Sequence, residues 1–296
     1  MQTRALTLDD SLALGALLMR EPAHNLFHLS ALVEHGLGDV SAGLGQMWAI
    51  GAFRGELVGL VAAFRGTGGI YHSPGDTETL QTLAEVVVSK GSEGKLSLLS
   101  GHASQIGPLL PLVQNVGVGH TDHCHFRTLF PGDMVQPRQV KGFGAPRLAT
   151  KDDMERLIDF YEVGFYSLAH LPTRAAWRNR LTEQLALRTL FLIEDMTGAV
   201  ASAALSSAEG GGAAMLGGVA TLDRYRSKGL SALCVAALCE HLSQKGCTSI
   251  SLFYLKDNTA AGRVYDKLGF QEAGEWLLVP LGLGAAFRPL LALSGR

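Results

Sequence analysis

Cysteine is scarce in this chain: four residues, at 124, 234, 239 and 247, with no C-x-x-C pair among them. That spacing excludes a zinc ribbon, a thioredoxin-type redox motif and a disulfide scaffold. Cys234 and Cys239 fall within an apolar helical pattern, where packing accounts for them. A reducing, cytoplasmic setting fits. Charge is sparse as well, at 18% of residues with a formal net charge of −2. That argues against nucleic-acid partners and against a basic membrane patch. Long apolar runs are missing too. The most apolar stretch, 277–293, is broken by Pro280, Arg288 and Pro289, so no membrane span of about 20 residues is expected. Near the start, Asp9, Asp10 and Arg20 interrupt any leader-like pattern.

What is plentiful is apolar residue, 47% of 296. That is enough to bury a sizeable core and long enough for two domains of ordinary size. Up to residue 140 there are 8 Lys+Arg against 12 Asp+Glu; beyond it, 17 against 15. The small cationic excess thus lies in the second half.

Read in order, the first half suggests a strand at 4–7, helices at 8–19 and 25–35, and strands at 48–53 and 56–64 joined by Arg54-Gly55. A strand at 69–72, a helix at 77–89, a strand at 95–100, a helix at 102–112 and a strand at 124–130 follow. Pro131, Gly132 and Pro137 then break the chain. The second half repeats the order: a strand at 146–149, helices at 151–165 and 174–188, and strands at 189–194, 199–206 and 215–222. A helix from 230, a strand at 249–253, a helix from Asn258 and a strand from Phe270 complete it. The pattern predicts an α/β (α+β) protein of two domains, 1–136 and 137–296. Each is expected to be a mixed, mostly antiparallel sheet flanked by helices.

Chemistry concentrates between Met215 and Phe270. An apolar strand leads into Arg224, Arg226 and Lys228, and Gly229 opens a helix with Leu230, Leu233, Cys234, Ala237 and Leu238 at helical spacing. Glycine lets the backbone turn sharply, and a helix N-terminus offers unpaired N–H groups and a positive dipole end. Three cations beside it suit a polyanion such as a pyrophosphate. Further on, Asn258 or Asp257 can cap a helix whose Ala261, Tyr265 and Leu268 share a face and which Gly269 ends. A buried tyrosine there is by default a core residue.

The two motifs together resemble the GNAT (GCN5-related N-acetyltransferase) superfamily. Arg226-Ser-Lys-Gly229-Leu-Ser231 is similar to its Q/R-x-x-G-x-G/A loop, with Ser227 and Ser231 where glycine or alanine is usual. Asn258 through Ala261, Tyr265, Gly269 and Phe270 resembles its second signature. The resemblance implies acetyl-CoA as co-substrate. Backbone amides of Ser227, Lys228, Gly229, Leu230 and Ser231 would hold its pyrophosphate, with Arg226 and Lys228 adding charge. Val219, Ala220 and Thr221 would pair with the pantetheine arm like an added strand, and a bulge there would aim one N–H at the thioester oxygen. Asn258 would bond the pantetheine, and Tyr265 would protonate the departing thiolate. The acceptor would be a small-molecule or peptide amine, and a homodimer stays open. A non-catalytic acyl-CoA sensor or interaction module is the competing reading.

Acids are absent from 213–222, where many relatives carry the general base. Glu194, Asp195, Glu162, Tyr161 and His170 are candidates, and the base stays unassigned. The first half lacks both motifs: Tyr71-His-Ser-Pro-Gly-Asp76 stands where the basic turn should be. A degenerate domain that buttresses the other is expected. The run His120, Asp122, His123, Cys124, His125 could be imagined as a metal site, but a polar strand end explains it better and no metal is expected.

Overall fold

The order strand, helix, helix, three strands, helix, strand, helix, strand occurs twice along the chain. The computed structural model describes residues 1–38, 46–169 and 173–282. The first run is β1 (Gln2–Ala5), α1 (Ser11–Leu18), α2 (Leu26–His35), β2 (Trp48–Arg54), β3 (Glu56–Phe64), β4 (Thr67–His72), α3 (Thr77–Ser92), β5 (Leu98–His102), α4 (Ala103–Ile106) and β6 (Asp122–Leu129). The second is β7 (Arg147–Leu148), α5 (Met154–Ala169), α6 (Arg174–Leu187), β8 (Leu190–Glu194), β9 (Val200–Gly210), β10 (Ala213–Thr221), α7 (Leu230–Gln244), β11 (Ser249–Leu255), α8 (Thr259–Leu268) and β12 (Gln271–Pro280). None of the helices among the described residues is long and apolar enough to cross a membrane.

Two compact units result: Met1–His125 with the described chain from Gly274, and Phe126–Ala273. In the first, the strand order is β1-β2-β3-β4-β5-β12; in the second it is β6-β11-β10-β9-β8-β7. β1–β2, β2–β3, β3–β4, β5–β12, β7–β8, β8–β9 and β9–β10 pair antiparallel, whereas β4–β5 and β10–β11 pair parallel. In each unit one strand of this order comes from the other half of the sequence. Trp276 to Pro280 of β12 pair with His102 to Leu98 of β5, while β6 adjoins β11, where Thr128 and Ser251 share a 2.9 Å hydroxyl contact. A division into 1–136 and 137–296 therefore follows element order and not sheet membership.

Strand residues alternate between two layers with period two, shifted by one where β3 spends an extra residue between Leu57 and Gly59 and β9 one between Val200 and Ser202. In β3, Leu57, Leu60 and Ala62 join the cluster under α1 and α2, while Val61 and Ala63 join the cluster under α3. In β9, Val200, Ala203 and Leu205 pack with α5 and α6, while Ala201 and Ala204 pack with α7. Both faces of each sheet are thus covered. Truncating a fully buried α7 residue such as Leu238 should cost about 2–5 kcal/mol.

Residues 102–112, predicted as one helix, form the short α4 and then a 3₁₀ turn over Gly107–Leu112. Pro108 and Pro111 lack the N–H groups an α-helix would use there. The strand predicted from Phe270 begins at Gln271.

Candidate active site

Strand β10 carries the site. Its parallel register with β11 runs from Ala213↔Ser249 to Met215↔Ser251 and stops. From Leu216 to Thr221 it pairs with β9 alone. Gly217 aligns with Leu205 and Ala220 with Ala203, so β10 spends one extra residue and bulges at Gly218 and Val219. Gly218 holds φ +54°. A Cβ there would meet Leu205 Cδ2 at 2.7 Å, so glycine is required by both backbone and space. Residues 217–221, including Val219, Ala220 and Thr221, are half-buried, whereas 213–216 are buried. Ser202 of β9 fastens the end of this edge, donating to the Ala220 carbonyl at 2.9 Å and meeting Thr221 Oγ1 at 2.8 Å. Sequence reasoning passed over Ser202; the adjacent Gly217-Gly218 pair within a strand was the signal for the bulge.

The turn that follows is exposed from Arg226 to Gly229. Ser227 sits at φ +62° and Gly229 at φ +85°, a chain geometry that points successive N–H groups to one side. Ser227 tolerates a conformation in which glycine would be unstrained. Gly229 is the N-cap of α7 and supplies no capping side chain. The first-turn amides of Leu230 and Ser231 are therefore left for another acceptor. An added Cβ on Gly229 would meet only Val140, at 3.9 Å, so the approach is open. Arg226 is paired with Asp223 at 2.9 Å. Lys228 lies over the rings of Phe143 (5.4 Å) and Tyr225 (5.6 Å), a cation–π arrangement that holds the ammonium beside the turn.

Helix α8 is capped as its sequence suggests. The Asn258 side-chain oxygen accepts the Ala261 N–H at 3.0 Å, and Gly269 closes the helix at φ +93°. Asn258 is buried, and its oxygen is committed to the cap. Tyr265 is 6% exposed and packs against Tyr254 and Phe270, with ring centroids 5.3 and 5.6 Å away. Burial pushes its phenol well above the usual tyrosine range, so it stays protonated.

Residues 151–270 match the model of the acetyltransferase (GNAT) family. They are a GNAT domain. No curated protein matches the chain, but solved structures do. A Drosophila protein aligns at TM-score 0.67 and 13% identity, covering 94% of this chain and 98% of that one. A GCN5-related N-acetyltransferase from Sphaerobacter thermophilus aligns at 0.64 and 16%, covering 95% and 96%. A tandem GNAT protein from the clavulanic acid biosynthesis pathway aligns at 0.59 and 14%, covering 94% and 97%. Identities this low speak for the fold alone, and that likeness spans nearly the whole chain. Acyl transfer is the family's reaction class.

Within the GNAT domain the acids considered for the base are otherwise engaged. Glu194 accepts from Arg147 at 2.7 Å and from Arg156, and Arg147 holds its carboxyl below the usual range. Asp195 accepts from the Thr197 hydroxyl and amide and from the Tyr225 hydroxyl, and these bonds depress its pKa. Asp195 thereby braces Tyr225 under the basic turn. Glu162 is paired with Arg174 at 2.6 Å. Tyr161 is buried and donates to the Gly218 carbonyl at 3.5 Å. His170 lies outside the described residues.

The other parallel pair, β4 with β5, also parts early, after Thr67↔Leu98 and Gly68↔Leu99. There, however, the freed edge is occupied by the protein itself. The His72 N–H donates to Gln105 Oε1 at 2.9 Å, and a Cβ on Gly69 would meet His28 Cε1 at 2.8 Å. Gln105 gave no sequence signal. His123 of the histidine-rich run pairs with Glu275, and no group of three or more metal-ligating side chains is found among the described residues.

Proposed function

We propose that this GNAT domain is an acetyl-CoA-dependent N-acetyltransferase, with an amine acceptor that attacks directly in a ternary complex. The observation that carries the reading is the parting of β10 from β11 after Met215, with a bulge at Gly218 and Val219 on the freed edge. Acetyl-CoA, when bound, supplies an activated acetyl group. The chain's own residues do the rest. The backbone of Val219, Ala220 and Thr221 offers strand-like hydrogen bonds to an extended arm. The bulge aims an N–H at the oxygen on which charge develops. Uncapped amides from Ser227 to Ser231 hold the diphosphate at the start of α7, and Arg226 exchanges Asp223 for phosphate. Tyr265, kept protonated by burial, holds the proton that the leaving sulfur needs.

With Glu194, Asp195 and Glu162 held in other bonds, the acceptor enters as its neutral amine and rate rests on positioning. The same engagement favours a second reading, an acyl-CoA-binding module that does not turn over. Isothermal titration with acetyl-CoA and thiol release over an amine panel separate the two. Micromolar binding with turnover supports the transferase, binding without turnover supports the sensor, and no binding at high micromolar ligand removes both.

A further inference from the structure

Helix α8 carries a glycine in its interior, where only proline is a poorer helix former. Its packing gives the reason. A Cβ on Gly262 would stand 3.1 Å from Tyr254 Oη and 3.5 and 3.6 Å from Cε2 and Cζ of the same ring, so the Tyr254 phenol rests against the backbone of α8. One turn on, Tyr265 shares that face, and its ring centroid lies 5.3 Å from that of Tyr254. Arg127 of β6 lies over Tyr254, its guanidinium carbon 5.6 Å from the ring centroid. Arg127 Nη1 donates to Asp266, the residue after Tyr265, and Nε stands 3.3 Å from Glu272 Oε2. The Arg127 side chain is only 15% exposed. In sequence Arg127 precedes the GNAT domain, but it belongs to the same compact unit, Phe126–Ala273.

Stability alone does not call for this assembly. A guanidinium drawn largely out of water is costly, and carboxylates as exposed as Asp266 and Glu272 return little. What the arrangement does is fix a position. Arg127 ties β6 to α8 and to the start of β12 and bears on Tyr254, and Tyr254 bears on Gly262 and Tyr265. The Tyr265 hydroxyl is the group farthest from its own Cβ, so any tilt of the ring displaces it most. We infer that Arg127 and Tyr254 are positioning residues that aim the Tyr265 hydroxyl at the departing sulfur. This rests on the acyltransferase reading above. The phenol gives its proton to the sulfur as the C–S bond breaks and regains one from the nitrogen that has attacked. Misplacing a reacting group by about 1 Å can cost on the order of a hundredfold in rate. Cofactor binding falls to β10 and the start of α7, so the pair acts on rate and not on affinity.

The test is a double-mutant cycle read as kcat for thiol release from acetyl-CoA, with the best acceptor of the amine panel. Arg127→Gln should lower kcat by about tenfold while acetyl-CoA affinity by calorimetry stays within about twofold. In a Tyr265→Phe background the same change should have no further effect, because the hydroxyl it aims is gone. Gly262→Ala favours helix and should keep the fold while displacing Tyr254; its loss of kcat should vanish in that background too. Arg127→Lys should recover only part of the rate, since a point charge lacks the guanidinium fork. Equal losses with and without the Tyr265 hydroxyl, a parallel loss of acetyl-CoA affinity, or unchanged kcat in Arg127→Gln overturns the assignment. The Tyr265 Cζ resonance, identified by its absence in Tyr265→Phe, should move in Arg127→Gln without any ligand, and one that stays still overturns the placement as well. A wild-type chain that releases no thiol with any amine would instead remove the transferase reading, and the Cζ resonance then decides the positioning alone.

Discussion

The Tyr161 hydroxyl donates to the carbonyl of Gly218 at 3.5 Å, tying α5 to the bulge of β10. The bond is long, so its own contribution is small, and Tyr161→Phe should change stability by less than about 1 kcal/mol. Gly218 is the constrained partner. Gly218→Ala forces a side chain into left-handed backbone and against Leu205, and should destabilise by about 2 kcal/mol or more. Urea unfolding of the two variants checks the contrast; a neutral Gly218→Ala would mean the bulge is not built as described.

At the basic turn, Arg226 has a competitor for any phosphate. Removing it by Asp223→Asn should tighten acetyl-CoA binding by roughly two- to threefold, because the pair is exposed and weak. Arg226→Glu should weaken binding by about tenfold at low salt and by less at high salt, where screening mutes the reversed charge. Calorimetric titration at two ionic strengths reads both effects.

Tyr265→Phe is expected to lower kcat while sparing acetyl-CoA affinity. Its phenol pKa is raised by burial, so the proton stays in place through the alkaline range in which the acceptor amine loses its own. The rate, measured as kcat/KM, should therefore rise with pH at unit slope up to the acceptor's own amine pKa, with no fall near pH 10. A fall at the ordinary tyrosine pKa would show that the phenol is not shielded in this way.

Acid stability follows from Asp153. Its carboxyl, almost wholly buried, takes two bonds from Arg147 and one from the Thr150 amide. Arg147 beside it lowers the pKa from 3.8 to about 2. A depressed pKa adds stability above the unfolded value, and that stability is lost as pH falls from about 4 through 2. Because Arg147 is partly exposed, the contribution is roughly 1–2 kcal/mol. Asp153→Asn should remove most of this slope in denaturation followed between pH 5 and 2.

Local pattern was enough for the element order in both halves, because strands alternate with period two and helices carry caps such as Asn258 and Gly269. It was enough for the two GNAT motifs as well. Long-range pairing was not legible. Nothing in 271–280 says that Trp276 pairs with His102 and not with a strand nearer in sequence, since an alternating strand fits many partners. The fate of single polar residues was hidden for the same reason. Asp195 looks like a free acid until Tyr225 and Thr197 are seen to donate to it, and Gln105 looks like surface until its oxygen is found on the His72 amide. Proline chemistry explains why the helix predicted at 102–112 is shorter.

Acetyl-CoA is expected to bind along the freed edge of β10 and at the uncapped start of α7. Amide hydrogen exchange with and without acetyl-CoA reads those backbone groups directly. Protection is expected over 217–221 and 227–231, with no change at 69–72, where Gln105 and His28 already occupy the edge. Unchanged exchange at 217–221 in saturating acetyl-CoA, or protection centred on β4, would contradict the account.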